Sequence, residues 1–246
     1  MSQLSSIEWT DHTFNPWWGC VKVSSGCTNC YAETLATRYG HTVWGPRAQR
    51  RFFGEKHWQE PLRWNRDAED IGRPVRVFCA SMADVFENNR SLDSERAKLW
   101  PLIEETPWLH WQLLTKRPEQ ILQMVPWANE WPANVWIGTS IENQAAADAR
   151  LPHLRNVPAS IRFLSCEPLL GPLDDLDLTG IQWVIAGGES GPKHRPVNFE
   201  WLRALRDQCR QVGVAFFFKQ WGGPRSKSGG RLLDGKLWND FPEGAS

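Results

Sequence analysis

Three cysteines, Cys20, Cys27 and Cys30, fall within the run Gly19-Cys20-Val21-Lys22-Val23-Ser24-Ser25-Gly26-Cys27-Thr28-Asn29-Cys30, and they are half of the six in the chain. Thiolates are soft ligands suited to iron-sulfur clusters, zinc or Cu(I). The glycine before each of the first two cysteines lets the backbone curl around an ion and turn N–H groups toward sulfur. A disulfide would leave one of the three unpaired. With no fourth Cys or His in the loop, a metal held here keeps an open coordination position, the pattern of a reactive centre more than of a structural one. A zinc site completed by a distant Cys or His is the structural alternative.

The elements that must position this loop show in the hydrophobic pattern. Short apolar runs at 75–80, 111–114, 135–138, 161–164, 183–186 and 215–218 each finish in polar residues: Asp84, then Lys116 and Arg117, Ser140 and Glu142, Glu167, Gly187-Gly188-Glu189, and Lys219. Runs of this kind suit strands buried on both faces, the signature of a parallel sheet. Helical patterns separate them at 91–105, 118–125, 143–154 and 199–212, and another follows the third cysteine. Strand–helix alternation puts every strand's C-terminal end on one side of the sheet, where α/β folds place their chemistry. The expected fold is therefore α/β, a partial (β/α) TIM-like barrel of six or seven mostly parallel strands, with the cysteine loop after a first strand at 7–10.

Two segments depart from this rhythm. Residues 45–74 hold no clear period and read as an excursion from a barrel spanning 1–223; the bland reading of Arg47, Arg50 and Arg51 there is a solvated face, the sharper one a phosphate-contacting lip. Residues 224–246 read as a hairpin and tail around the Asp234-Gly235 turn. Histidines 12, 57 and 194 lie near turns and are expected at the surface.

Lys+Arg and Asp+Glu are both 28 in 246 residues, so a long duplex finds no global attraction and any anion must be met locally. No run is long enough to span a membrane and the first residues lack a signal-peptide pattern, which leads to the expectation of a cytoplasmic protein with reduced thiols. Lys116, Glu167 and Lys219 are candidate catalytic residues, because cations and a carboxylate at a low-dielectric barrel mouth can hold anions. Asp84, Ser140, Glu142 and Glu189 stand where an amino group or ribose hydroxyl of a bound nucleoside would be met; ion pairing is the structural alternative for the carboxylates.

The runs Asn15-Pro16-Trp17-Trp18-Gly19-Cys20, Ser24-Ser25-Gly26-Cys27-Thr28-Asn29-Cys30-Tyr31-Ala32, Ser81-Met82-Ala83-Asp84, Leu114-Thr115-Lys116-Arg117-Pro118, Cys166-Glu167-Pro168-Leu169-Leu170-Gly171-Pro172, Gly187-Gly188-Glu189-Ser190-Gly191 and Phe218-Lys219-Gln220-Trp221-Gly222 resemble the phage-type three-cysteine-motif family. That family is similar to a divergent branch of the radical SAM superfamily. The resemblance implies a 4Fe-4S cluster on Cys20, Cys27 and Cys30, with S-adenosylmethionine chelated at the fourth iron and cleaved reductively to start radical chemistry. It also implies a reductant protein, a nucleic-acid or nucleotide substrate to be modified or repaired, and room for a partner protein. Gly187, Gly188 and Glu189 are similar to the superfamily's glycine-rich SAM element, here after a late strand. Cysteine spacing is six residues then two, against three then two in the commonest members. The alternatives are a zinc-binding hydrolase, which would need a water-activating His-x-Glu pair that the loop lacks, and a non-catalytic metal-stabilised phage or host interaction protein, which would have no use for six polar strand ends.

Overall fold

Apolar runs flanked by capping and turn residues set the frame, described in a computed structural model over residues 5–127 and 130–243. Residues 1–4 and 244–246, the outer ends of the two expected segments, lie outside the described residues. In chain order the elements are β1 (His12–Thr13), β2 (Trp17–Trp18), α1 (Tyr31–Arg38), β3 (Arg51–Phe52), α2 (Glu55–Trp58), α3 (Glu60–Asp70), β4 (Val75–Cys79), α4 (Asp93–Glu104), β5 (Leu109–Thr115), α5 (Ile121–Met124), β6 (Val135–Ser140), α6 (Gln144–Arg155), β7 (Ile161–Cys166), β8 (Trp183–Gly187), α7 (Phe199–Gln211) and β9 (Ala215–Gln220). Helix starts follow local chemistry: Asn143 accepts from the Ala146 N–H at 3.0 Å and Asn198 from the Glu200 N–H at 2.8 Å, satisfying N–H groups that the first turn leaves unpaired.

Seven strands form one sheet in the order β1-β4-β5-β6-β7-β8-β9, with every pairing parallel. Strand β2 pairs separately and antiparallel with β3. Two apolar clusters sandwich the sheet. The larger joins it to the helices through residues such as Leu99, Leu151, Leu205 and Cys209. The smaller gathers Trp9, Phe78, Trp136, Phe163, Trp183 and Phe217. Trp9 lies 4.6 Å from the Phe78 ring and 6.0 Å from Trp183, measured between centroids. Phe78 is on β4 and Trp183 on β8, with three strands between them, so one indole reaches both because the sheet curls. The result is an α/β partial barrel, as the strand rhythm implied.

Several local expectations are corrected. Residues 7–10 form a bend and turn, and the first strand is β1; the alternation there reflects Trp9 turning into the barrel end. The aperiodic stretch 45–74 contains α3, which buries Pro61, Trp64 and Ala68 at i, i+3 and i+7 on a largely polar helix. Arg50 belongs to neither a solvated face nor a lip: it is buried, paired with Glu87, and donates to the carbonyls of Val43, Gly45 and Ala48. His12 is buried and stacked on Trp64 at 4.4 Å. Among the described residues no helix is long and apolar enough to cross a membrane.

Candidate functional site

The cysteine loop is fastened to the C-terminal ends of the strands by hydrogen bonds from its own backbone and from side chains across the barrel mouth. Gly19 N–H donates to Met82 O at 3.0 Å just past β4, and Gly19 has φ of +118° with the space for a Cβ filled by the Val43 carbonyl at 2.3 Å, so only glycine fits. Past β5, Arg117 Nη2 donates to Val21 O at 2.7 Å. Past β8, Asn29 Nδ2 donates to Glu189 Oε2 at 2.9 Å, and Arg195 Nη1 to Ser25 O at 3.1 Å. Asn15 anchors the loop's start, accepting from Met82 N–H at 2.7 Å.

Beneath the loop lies a cavity of about 640 Å³. Its walls include Cys20, Cys27 and Cys30 together with Asp84, Lys116, Ser140, Glu167, Glu189 and Lys219, and its apolar end includes Trp9, Phe78 and Leu114. Of the sequence-derived site residues, Glu142, Gly187 and Gly188 are not in this wall. Glu142 is buried beside it, bound to Arg150 at 2.7 Å. Gly187 and Gly188 pack against the end of β9, where a Cβ on Gly188 would lie 2.1 Å from the Trp221 carbonyl oxygen.

The charged wall residues are mostly committed to one another. Asp84 accepts from Phe86 N–H, Thr115 Oγ1, Lys116 N–H and Arg117 Nη1 at 2.7 to 3.1 Å, so its four acceptor positions are filled. Lys219 pairs with Glu167 at 2.7 Å, and Gln220 Nε2 donates to the same carboxylate at 3.2 Å. Burial alone would raise the Glu189 carboxyl, but hydrogen bonds from Arg195 and Asn29 outweigh it and hold it below the usual range. Glu142 is lowered in the same way, against burial, by Ser24 and Arg150. Among the described residues Lys116 is the one wall cation without a carboxylate partner: Lys22, Arg117, Lys219 and Lys227 pair with Glu33, Asp84, Glu167 and Glu8, whereas Lys116 Nζ donates only to Ser140 Oγ at 2.9 Å.

All six cysteines are unbridged, and Cys79, Cys166 and Cys209 are buried in the core. The three loop thiols are half-buried. Burial, reinforced by Asp84, pushes the Cys20 thiol up to about 12 against the pull of Arg117, whose Nη1 lies 3.8 Å from Sγ. Ligation there must therefore displace a proton. Among the described residues no three His, Cys, Asp or Glu side chains are drawn together as a metal-binding group. The donor set matches a cluster in chemical type and in sharing one cavity wall, and the sulfurs would have to converge on binding it.

Asn15, Asn29 and Gln220 stand in the runs quoted from the sequence but receive no role there. Asn15-Pro16 is a turn-initiating pair that could have flagged the first; nothing local marks Lys227, whose Nζ donates to Ser6 O across 221 positions at 2.8 Å.

Over residues 4–242 the chain matches the family described as "Protein of unknown function (DUF5131)". It belongs to that family. No curated protein matches this DUF5131 chain. Among solved structures it is similar to a spore photoproduct lyase mutant with bound AdoMet and dinucleoside spore photoproduct, at 14% identity and TM-score 0.47, covering 85% of this chain and 55% of that one. It is also similar to spore photoproduct lyase complexed with dinucleoside spore photoproduct, at 13% identity and TM-score 0.49, covering 82% and 62%. The DUF5131 chain thus spans 55 to 62% of the length of these two proteins.

Proposed function

We propose that this protein is a radical-SAM-type iron-sulfur enzyme, with Cys20, Cys27 and Cys30 holding a 4Fe-4S cluster and S-adenosylmethionine bound in the cavity beneath. The observation that carries the reading is that three unbridged thiols of one short loop line the same cavity as Lys116, Glu167, Glu189 and Lys219, at the C-terminal ends of a parallel sheet. When bound, such a cluster would supply the electron that cleaves S-adenosylmethionine and opens radical chemistry on a substrate. The remaining work falls to this chain's own residues. Lys116, free of a carboxylate, would hold an anionic group of the bound molecule; the Lys219–Glu167–Gln220 group would orient a polar substituent; Trp9, Phe78 and Leu114 would keep water from the apolar end. The substrate class in this proposal is a nucleic acid or nucleotide that is modified or repaired, with an external reductant protein delivering the electron. The domain division proposed is a barrel over 1–223 with a hairpin and tail after it.

The test is analytical. Protein reconstituted without oxygen should bind close to four irons and four sulfides, give a reduced-cluster EPR signal that changes with S-adenosylmethionine, and release 5'-deoxyadenosine under dithionite. Cys27→Ala should lose all three. One zinc per chain with no sulfide would end the proposal in favour of the zinc-binding hydrolase or interaction-protein alternatives.

A further inference from the structure

Beside the cysteine loop, the β2–β3 ladder and the end of α1 present a line of aromatic rings with an arginine laid on it. The Trp18 ring lies 6.3 Å from Tyr39 and 6.0 Å from Phe53, and Phe53 lies 4.4 Å from His57. Arg51 is the cross-strand partner of Trp18, and its guanidinium sits 4.6 Å from the Trp18 ring and 4.8 Å from Phe53. Cross-strand stacking of this kind fixes the planar fork without using its N–H donors. Among the described residues the Arg51 side chain has no carboxylate partner and no hydrogen bond, so all five of its donors are unspent. Tyr39 is 63% exposed.

The charge around this line is one-sided. Between residues 38 and 57 the chain carries Arg38, Arg47, Arg50, Arg51 and Lys56 against a single acid, Glu55, in a molecule with zero formal net charge. Arg50 is neutralised internally by Glu87, while Arg38, Arg47 and Lys56 are exposed. The line also adjoins the cavity mouth, because Trp18 packs on the small cluster of Ala32, Ala36, Val43 and Met82, and Ala32 and Met82 line the cavity.

We propose that this aromatic–arginine strip is a binding platform for single-stranded nucleic acid, leading a strand toward the cavity. The exposed Tyr39 ring and the stacked Arg51 plane, with its unspent cationic donors, match a chain of unpaired bases joined by phosphates. A duplex hides its base faces and would leave Tyr39 without a partner. The strip is read from its own geometry, and it is testable without any cluster, so its failure and that of the radical reading are distinguishable.

The experiment is fluorescence anisotropy of labelled oligo(dT) and oligo(U) with the metal-free full chain, beside a duplex of equal length. Binding of either strand supports the platform. Four cations on the strip give a log–log salt slope of about −3. Arg51→Ala and Tyr39→Ala should each weaken binding about tenfold, on the scale of one lost stacking contact. Arg51→Lys, which keeps the charge and fold but loses the planar fork, should recover only part. Arg73→Ala, at the opposite end of β4, should bind as the parent does. Absence of strand binding, equal affinity for the duplex, equal loss in Arg73→Ala, or capture by phosphatidylserine vesicles or polyglutamate in place of strands would each overturn the proposal.

Discussion

Arg117 donates to Asp84 at 2.7 Å through the same Nη1 that lies 3.8 Å from the sulfur of Cys20, so the first cysteine sits against an ion pair that is itself buried. Removing one partner of such a pair leaves an uncompensated charge in a low-dielectric site. Arg117→Ala should cost about 3 kcal/mol of stability, read as a lower urea midpoint at unchanged m value. A surface-like cost below about 1 kcal/mol would show that the pair is exposed in solution.

Gly188 is held by packing against the β9 end, whatever else it does. Gly188→Ala places a Cβ where the Trp221 carbonyl stands, at 2.1 Å. Backbone cannot give way as a flexible side chain does, so metal-free protein should lose about 1 to 3 kcal/mol. Full stability of this variant with loss of S-adenosylmethionine binding alone would instead assign the glycine to the ligand.

Asp11 ties the first segment to β4, accepting from Arg76 N–H at 2.9 Å and Arg76 Nε at 3.0 Å. Burial would raise its carboxyl, but Arg76 outweighs burial and holds it below its ordinary value of 3.8. A carboxyl depressed in the folded state stabilises fully above the unfolded value, and that contribution is lost as pH falls through the folded one. Stability measured from about pH 5 down to about pH 3 should therefore fall less steeply in Asp11→Asn than in the parent. Parallel profiles would refute the assignment.

Lys116→Ala removes the wall cation that no carboxylate holds. Under the proposed function the S-adenosylmethionine concentration for half-maximal cleavage should rise tenfold or more, the scale of about 1.5 to 3 kcal/mol for a hydrogen bond to a charged group. Iron and sulfide content should stay at the parent level, which separates binding from cluster assembly.

Six strands were legible because burial on both faces leaves an apolar run that few other environments produce. The polar residues ending those runs were legible for the same reason, as the first positions free of the core. What sequence concealed depends on partners far along the chain. Arg50 looks like its neighbours Arg47 and Arg51 until Glu87 arrives from 37 residues away. Helix α3 escaped notice because three buried positions suffice to dock it while the rest stays polar. The first strand was misplaced because an alternating tetrapeptide cannot tell whether its tryptophan joins a ladder or fills the barrel end. Gly187-Gly188-Glu189 reads as one motif, yet its carboxylate faces the cavity while its glycines face β9.

The sheet's outer strands, β1 and β9, are not paired with each other, and on the cavity side Lys227 of the tail meets Glu8 at 2.6 Å and the Ser6 carbonyl at 2.8 Å. Between those two strands the mouth is thus closed by two surface segments and not by strand pairing. Loops tolerate insertion and exchange far better than a buried ladder does. Exchanging these two segments is therefore a way to change the bulk the mouth admits while leaving the cysteine loop and the seven-stranded frame untouched.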